Sequence, residues 1–236
     1  MERYEAALAL WQQKQIRTDA QLAEALNEHS ILFAYHSGKL ENDAITFHDT
    51  REIFDHDGVT AYTGDLRTLF EIRNAKDANE LFLQAFQARR VLDEDLIKAF
   101  QKVLTNNTYD TRRYQLGERP GTYKRHDYVT GKHEIGAAPE DVAEELQELL
   151  HELQDVPAKD VLKAAAYYHV KFENIHPFAD GNGRVGRITM NYFLVMHGHP
   201  PITIHEEDRR HITMRWKRGT SDRRLRRWSS FCASRR

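Results

Sequence analysis

Cysteine is all but missing from this sequence: 236 residues hold one, Cys232. A lone thiol excludes a disulfide framework and a Cys-rich zinc site, so a reducing compartment, the cytoplasm, is the expected location. Proline is missing from the first half, since all six prolines stand at Pro120 or beyond, and that half is free to run as helix. Long apolar runs are missing as well. None approaches the roughly 18 residues of a membrane-spanning helix, and the opening MERYEAALALWQQK is charged rather than built like a signal peptide, so no membrane partner is expected. What is present, 40% hydrophobic and 30% charged residues, reads as a globular chain long enough to bury a sizeable core without metal or disulfide.

The net charge of −2 hides a division along the chain. From Arg209 onward 11 Lys and Arg face one Asp, whereas residues 1–208 carry 23 basic and 35 acidic side chains. A basic tail of this kind can hold nucleic acid through phosphate contacts. A different origin for it emerges below, and nucleic acid is not the expected partner.

Apolar spacing predicts a largely helical fold. Ala78, Leu81, Phe82, Ala85 and Phe86 recur at i, i+3, i+4, i+7 and i+8, and Leu96, Phe100, Val103 and Leu104 share one face behind a capping Asp93. Val142, Leu146, Leu149, Leu150 and Leu153 repeat the pattern, with Pro139 expected in the first turn. Further helices are predicted over about 159–172 and 182–196, the second stopped by Gly198. Thr18 and Gln21 have capping-box spacing ahead of a stripe made by Leu22, Leu26, Phe33 and Leu40. Only the stretch from Tyr123 to Ile135 reads as β. There Tyr128 and Val129 precede the turn-forming Thr130-Gly131, which predicts one hairpin in an otherwise all-α protein.

Chemistry concentrates in the segment His176-Pro-Phe-Ala-Asp-Gly-Asn-Gly-Arg-Val-Gly-Arg187, between two predicted helices. Gly181 and Gly183 let the backbone approach a ligand closely, and the helix starting there points unpaired N–H groups and its positive dipole end outward, forming an anion hole. Arg184 and Arg187, one turn apart, can bring two planar guanidinium groups to the same anion. That is more positive charge than one phosphate requires, and it suits a polyphosphate. Asp180 offers a hard oxygen to a Mg²⁺ ion that bridges phosphates, and His176 has the ordinary pKa of a general base. Phe178 is the expected apolar anchor of the loop. Together these residues point to phosphoryl or nucleotidyl transfer, although spacing alone leaves open a plain Gly-Asn-Gly turn. His197, His199, His205 and His211 come with no H-E-x-x-H motif and no paired Cys, which argues against zinc. His169, on an apolar helix face, reads as a core histidine.

The same twelve residues fit, without departure, the signature H-P-F-x-(D/E)-G-N-G-R-x-x-R of the Fic-domain family of protein AMP-transferases. The resemblance runs from roughly Ser37 through Ile204 and takes in Asn74-Ala75 and the stretch from Met190 onward. It implies an all-α Fic fold, a helical bundle with one β-hairpin flap. The chain would then divide into an N-terminal helical region over 1–60, a catalytic core over 61–208 and the basic tail over 209–236. By this resemblance His176 takes the proton from a Ser, Thr or Tyr hydroxyl of a target protein, which attacks the α-phosphate of ATP and expels pyrophosphate. Asp180 would hold Mg²⁺; Gly181, Asn182 and Gly183 would bind the α- and β-phosphates; Arg184 and Arg187 would hold the β- and γ-phosphates. Gly183 favours AMP transfer over phosphate transfer, because the related Doc-type kinases have Lys there. The hairpin would be a flap, with Tyr123, Lys124, Lys132 and His133, that docks the target segment as an added strand. Many relatives carry Arg where Lys124 stands. Self-modification and a homo-oligomer are further expectations. The alternatives are a non-catalytic or truncated Fic-like interaction protein and an enzyme that moves another phosphate-linked group.

Ser37-Gly-Lys-Leu-Glu41-Asn42 fits a second pattern of the family, (S/T)-x-x-x-E-(G/N), which marks an inhibitory helix. The resemblance implies that Glu41 forms a bidentate pair with Arg187 and so removes the partner that the γ-phosphate needs. Its place ahead of the core groups the chain with relatives inhibited from the N-terminal side.

The tail departs from the family. Relatives continue past Pro-Pro-Ile-Thr-Ile with a segment like His-Tyr-Tyr-Asp-Ala-Leu-Glu-Ala-Trp-Asp, whereas His211 is followed here by Ile-Thr-Met-Arg-Trp-Lys-Arg-Gly-Thr220. Deleting one T after the first codon of CAT TAT TAC GAT GCG CTG GAA GCG TGG GAC A converts the first peptide into the second. Residues beyond about His211 are therefore expected to be translated out of frame. Sequencing the gene through this codon in independent isolates should show the loss of one nucleotide; an intact frame in all of them would make the tail a genuine element.

Overall fold

The structure, a computed structural model, describes residues 2–130 and 134–208. Gly131, the flap candidates Lys132 and His133, and the basic tail lie outside the described residues. The helices are α1 (Glu2–Gln13), α2 (Asp19–Lys39), α3 (Phe47–His56), α4 (Leu66–Gln87), α5 (Glu94–Leu104), α6 (Thr111–Gln115), α7 (Val142–Glu152), α8 (Val161–Ile175) and α9 (Asn182–Met196). Between α6 and α7, β1 (Val129–Thr130) pairs antiparallel with β2 (Glu134–Ile135), Val129 opposite Ile135 and Thr130 opposite Glu134.

Helix α9 is the axis of the bundle. Val185, Ile188, Met190, Tyr192, Phe193, Leu194 and Val195 put apolar surface on nearly every side of it, and a helix of that kind is stable only when enclosed. It packs against α8, α5, α2 and α4, with Leu96, Phe100, Leu146, Leu149 and Phe172 completing one continuous core. Tyr192 is fully buried; its ring meets Phe82 edge-on at 5.4 Å, and its hydroxyl donates to the carbonyls of Ala85 (3.1 Å) and Arg90 (2.6 Å) where α4 ends.

Helix α2 begins with the reciprocal capping box that Thr18 and Gln21 predict and bends at Asn27 (φ 13°, ψ −110°). Leu22 and Leu26 enter the main core before the bend. Beyond it, Ile31, Ala34, Ser37 and Gly38 are buried. The bare Gly38 lets Ile45 close onto the helix, since a Cβ would stand 2.7 Å from Ile45 Cδ1. Ile45, Ile53 and Ile72 form a small second cluster that holds the segment after α2 onto α3 and α4.

Asp93 caps α5 by accepting from Leu96 N–H (2.8 Å), and Gly198 stops α9 in the left-handed region (φ 73°). Two boundaries differ from the sequence expectation. Pro139 precedes α7, which starts at Val142, because a turn through Ala138–Asp141 closes first. The paired strands are only two residues each; the stretch from Tyr123 to Tyr128 has its bonds directed elsewhere, to the site loop and to Glu118.

Tyr192→Phe deletes a buried donor between α9 and the end of α4. It should cost about 1 kcal/mol, read as a fall of roughly 2–4 °C in melting temperature. An unchanged or higher melting temperature would contradict this role.

Candidate active site

The loop between α8 and α9 is shaped by its own side chains. His176 ends α8 in the left-handed conformation (φ 51°, ψ 61°), its N–H still donating to Phe172 O at 2.9 Å. Phe178 is fully buried between Tyr123 (5.7 Å between rings) and Phe172 (6.4 Å) and so anchors the loop on the core. Asn182 closes the loop twice: its Oδ1 accepts from Phe178 N–H (2.9 Å) and its Nδ2 donates to Phe178 O (2.7 Å). That side chain is committed to the turn, so what Asn182 offers a ligand is its backbone N–H. Gly181 precedes α9 at φ 84°, and a Cβ there would come within 2.8 Å of Thr105 Cγ2. The first turn of α9 thus presents bare N–H groups, as a helix N-terminus that binds anions requires.

A carboxylate already stands against Gly183 in that turn. A Cβ built on Gly183 would run into Glu41 Oε1 and Arg187 Nη1. Arg187 Nη2 donates to Glu41 Oε1 (2.7 Å) and to Ser37 O (2.9 Å), and its Nε donates to Ser37 Oγ (2.9 Å). Glu41 and Arg187 are thus paired through one hydrogen bond and not through the bidentate pair expected, because Ser37 takes Nε and shares Nη2. Arg184 takes a different direction from Arg187. Its Nη1 donates to Leu104 O (3.3 Å) and its Nη2 lies 3.6 Å from Asp180 Oδ1, so the two guanidinium groups do not converge on one point.

Asp180 is surrounded by cations that the local motif does not reveal. Its Oδ2 accepts from Arg67 Nη2 (3.0 Å) and lies 3.9 Å from Arg113 Nη2, while its Oδ1 accepts from Gly181 N–H (2.7 Å). Arg67 also donates to Glu71 (3.0 Å), and Glu71 accepts from Asn42 Nδ2 (2.7 Å), the neighbour of Glu41. Gln101 donates to Asp180 O (3.1 Å) and accepts from Gly121 N–H (2.5 Å), tying α5 to both the loop and the segment leading to the hairpin. Only the i, i+4 spacing of Arg67 and Glu71 could have been noticed beforehand; their partners across the fold could not.

The two described flap candidates turn inward. Tyr123 donates to Glu94 Oε2 (2.6 Å) and lies under Lys98 Nζ (4.1 Å), and Lys124 is buried, its N–H donating to Pro177 O (2.9 Å). Burial, reinforced by the Lys124 ammonium, pushes the His176 imidazole down to about 4, against the pull of Glu41, the Glu173 carbonyl and Asp180. Burial also holds His169 neutral, at about 3, and raises Glu173 to about 7, with Arg187 opposing and Glu41 adding. A neutral imidazole and bare amides beside a cluster of arginines can take a proton from one group and stabilise anionic charge on another.

Residues 91–194 match the Fic/DOC family model. That stretch is a Fic domain. The chain is 27% identical to Protein adenylyltransferase Fic of Nematostella vectensis over 194 residues, 80% of this chain and 43% of that one. The same identity holds with the protein of that name from Drosophila grimshawi over 197 residues, 81% of this chain and 38% of that one. The Fic-domain chain thus spans about two fifths of the length of these curated relatives. Its fold is shared with a Fic domain containing signaling protein from Bacteroides thetaiotaomicron (TM-score 0.74, 24% identity, 91% of this chain and 80% of that one). It is shared too with a Fic family protein from Desulfovibrio desulfuricans (TM-score 0.69, 20% identity, 93% of this chain and 66% of that one).

A histidine that folding keeps neutral binds its proton more readily in the unfolded chain. Its stabilising effect is whole above the ordinary histidine value and is lost as pH falls from there toward about 4. His176→Asn, which tolerates the left-handed backbone, should therefore lose less melting temperature than the parent between about pH 7 and 5. Equal losses would show that the imidazole is not held neutral.

Proposed function

We propose that this chain moves AMP from ATP to a Ser, Thr or Tyr hydroxyl of a target protein, and that Glu41 restrains it. The observation that carries the reading is the meeting, around the start of α9, of His176, the first-turn N–H groups and Arg187, with the Glu41 carboxylate paired to that arginine. The name shared by the curated relatives supports AMP as the transferred group.

In this reading the triphosphate lies along the N–H groups of Asn182 and Gly183, and of Gly181 once Asp180 Oδ1 releases it, with Arg184 and Arg187 at its outer phosphates. His176, neutral at physiological pH, accepts the proton of the incoming hydroxyl. The hydroxyl oxygen bonds to the α-phosphorus as the bond to the β-phosphate breaks, and pyrophosphate leaves with charge stabilised by the amides and guanidinium groups.

Asp180 fits a Mg²⁺ role by the chemistry of its donor set. It is a single carboxylate, 18% exposed with arginines beside it, and no group of three acidic or histidine side chains stands ready for a metal among the described residues. Mg²⁺ commonly takes one or two carboxylates and completes its shell with phosphate oxygens and water. Asp180 would hold the ion, which when bound would neutralise phosphate charge. Arg67 and Arg113 would then have to share or release the carboxylate.

Glu41 acts as the brake because its anion stands against Gly183 and takes the guanidinium that an outer phosphate requires. We read residues up to about 60 as the regulatory segment and the hairpin as a flap that receives the target segment as an added strand.

Incubated with labelled ATP and Mg²⁺, the Glu41→Gly variant should label itself or a lysate protein at least about tenfold more than the parent. His176→Asn in that background should abolish the label. Equal labelling of parent and Glu41→Gly at matched protein removes the brake, and labelling that survives His176→Asn removes the base.

A further inference from the structure

Lys124 is 2% exposed, and its ammonium has no hydrogen-bond partner among the described residues. A cation taken out of water without a partner is strongly unfavourable, and an orphan of this kind needs an explanation. The acidic groups that it senses, Asp127, Glu145 and Glu118, act on it without bonding. One Glu118 oxygen accepts instead from Arg125 N–H (2.9 Å) and the Tyr128 hydroxyl (3.0 Å).

Its position beside the candidate base is built from both sides. The N–H of Lys124 donates to Pro177 O (2.9 Å), and the N–H of Ala137, beyond β2, donates to Ile175 O (3.0 Å). The two ends of the hairpin stem therefore bind the backbone on either side of His176. Gly136 passes between them. A Cβ built on it would stand 2.6 Å from His176 Cβ and 3.0 Å from Lys124 Nζ, so the absent side chain lets the ammonium come close to His176, whose imidazole feels its charge.

We propose that Lys124 is a second substrate-contacting group: its ammonium donates a hydrogen bond to the acceptor hydroxyl oxygen while His176 takes that hydroxyl's proton. This rests on the AMP transfer described above. Lys124 keeps its own protons throughout. The hydroxyl proton goes to His176, the oxygen bonds to the α-phosphorus, and the electron pair of the broken bond leaves with pyrophosphate. The contact makes the hydroxyl a stronger acid and supplies the ammonium with the partner that it lacks. The residue thus belongs to the reaction rather than to flap docking. Glu41, Asp180 and the Glu173 carbonyl also face His176 and oppose the ammonium's effect on the imidazole.

The test compares Lys124→Met and Lys124→Arg with their parent, all in the full chain carrying Glu41→Gly. Lys124→Met should lower the rate of transfer to protein hydroxyls at least about tenfold, and leave Mg²⁺–ATP affinity within about twofold by calorimetry. Its melting temperature should rise, because a buried unpaired charge is gone. With that charge removed the imidazole becomes a stronger base, so the acid limb of kcat/KM against pH should move to higher pH. Lys124→Arg, which keeps charge and donors, should restore most of the transfer rate and the original limb. A Lys124→Met protein that melts lower and loses nucleotide affinity along with transfer would make the lysine structural. Unchanged transfer with an unmoved pH limb would remove it from the reaction while leaving AMP transfer standing. An inactive Glu41→Gly parent overturns AMP transfer itself and the role of Lys124 with it.

Discussion

Arg187 reaches out of a helix that is enclosed by the core, and its guanidinium is held by Ser37 and Glu41 from the end of α2. That attachment joins elements about 150 residues apart and fixes what stands in front of the first turn of α9. Glu41 itself remains partly open to solvent while Arg187 is buried, so the carboxylate is the member of the pair that can leave. A phosphate would offer the same guanidinium the same kind of charge-assisted bond, and it could also accept from the N–H groups at the start of α9. In the proposed reading restraint and substrate binding would draw on the same guanidinium, and the balance between them would be set by the hold of α2 on its surroundings.

That hold is distributed. Gly38 lets α2 close onto Ile45, the small isoleucine cluster fixes the following segment, and Asn42 donates to Thr68 and Glu71 on α4. From Glu71 the polar chain passes through Arg67 to Asp180. The carboxylate that would meet the metal and the residue next to the restraining carboxylate are therefore connected by three side-chain contacts. The bend at Asn27 divides the part of α2 packed in the main core from the part that carries Ser37.

The long amphipathic helices were legible because they obey local rules: apolar spacing, the Thr18 and Asp93 caps, and the glycine stop after α9. The twelve-residue loop was legible for the same reason, since its shape comes from bonds between residues a few positions apart, such as those of Phe178 with Asn182. What could not be read depends on distant partners. Arg67 is an ordinary surface-type arginine until the fold brings it to Asp180, and the inward turn of Tyr123 follows from Glu94 and Phe178 lying beneath it. The divergence of Arg184 from Arg187 has the same origin, because Leu104 and Asp180 claim one guanidinium and α2 claims the other. Lys124 looked like a surface residue of a hairpin because no spacing rule announces a buried, unpaired ammonium.

The central claim is that the start of α9 is a triphosphate site which Glu41 occupies. Titrating Mg²⁺–ATP into matched samples of the parent and the Glu41→Gly variant, with heat as the readout, addresses it directly. The account predicts saturable binding to the variant that is clearly tighter than to the parent and that Arg187→Ala in the variant weakens. A folded Glu41→Gly protein with no measurable affinity for the magnesium nucleotide would contradict it.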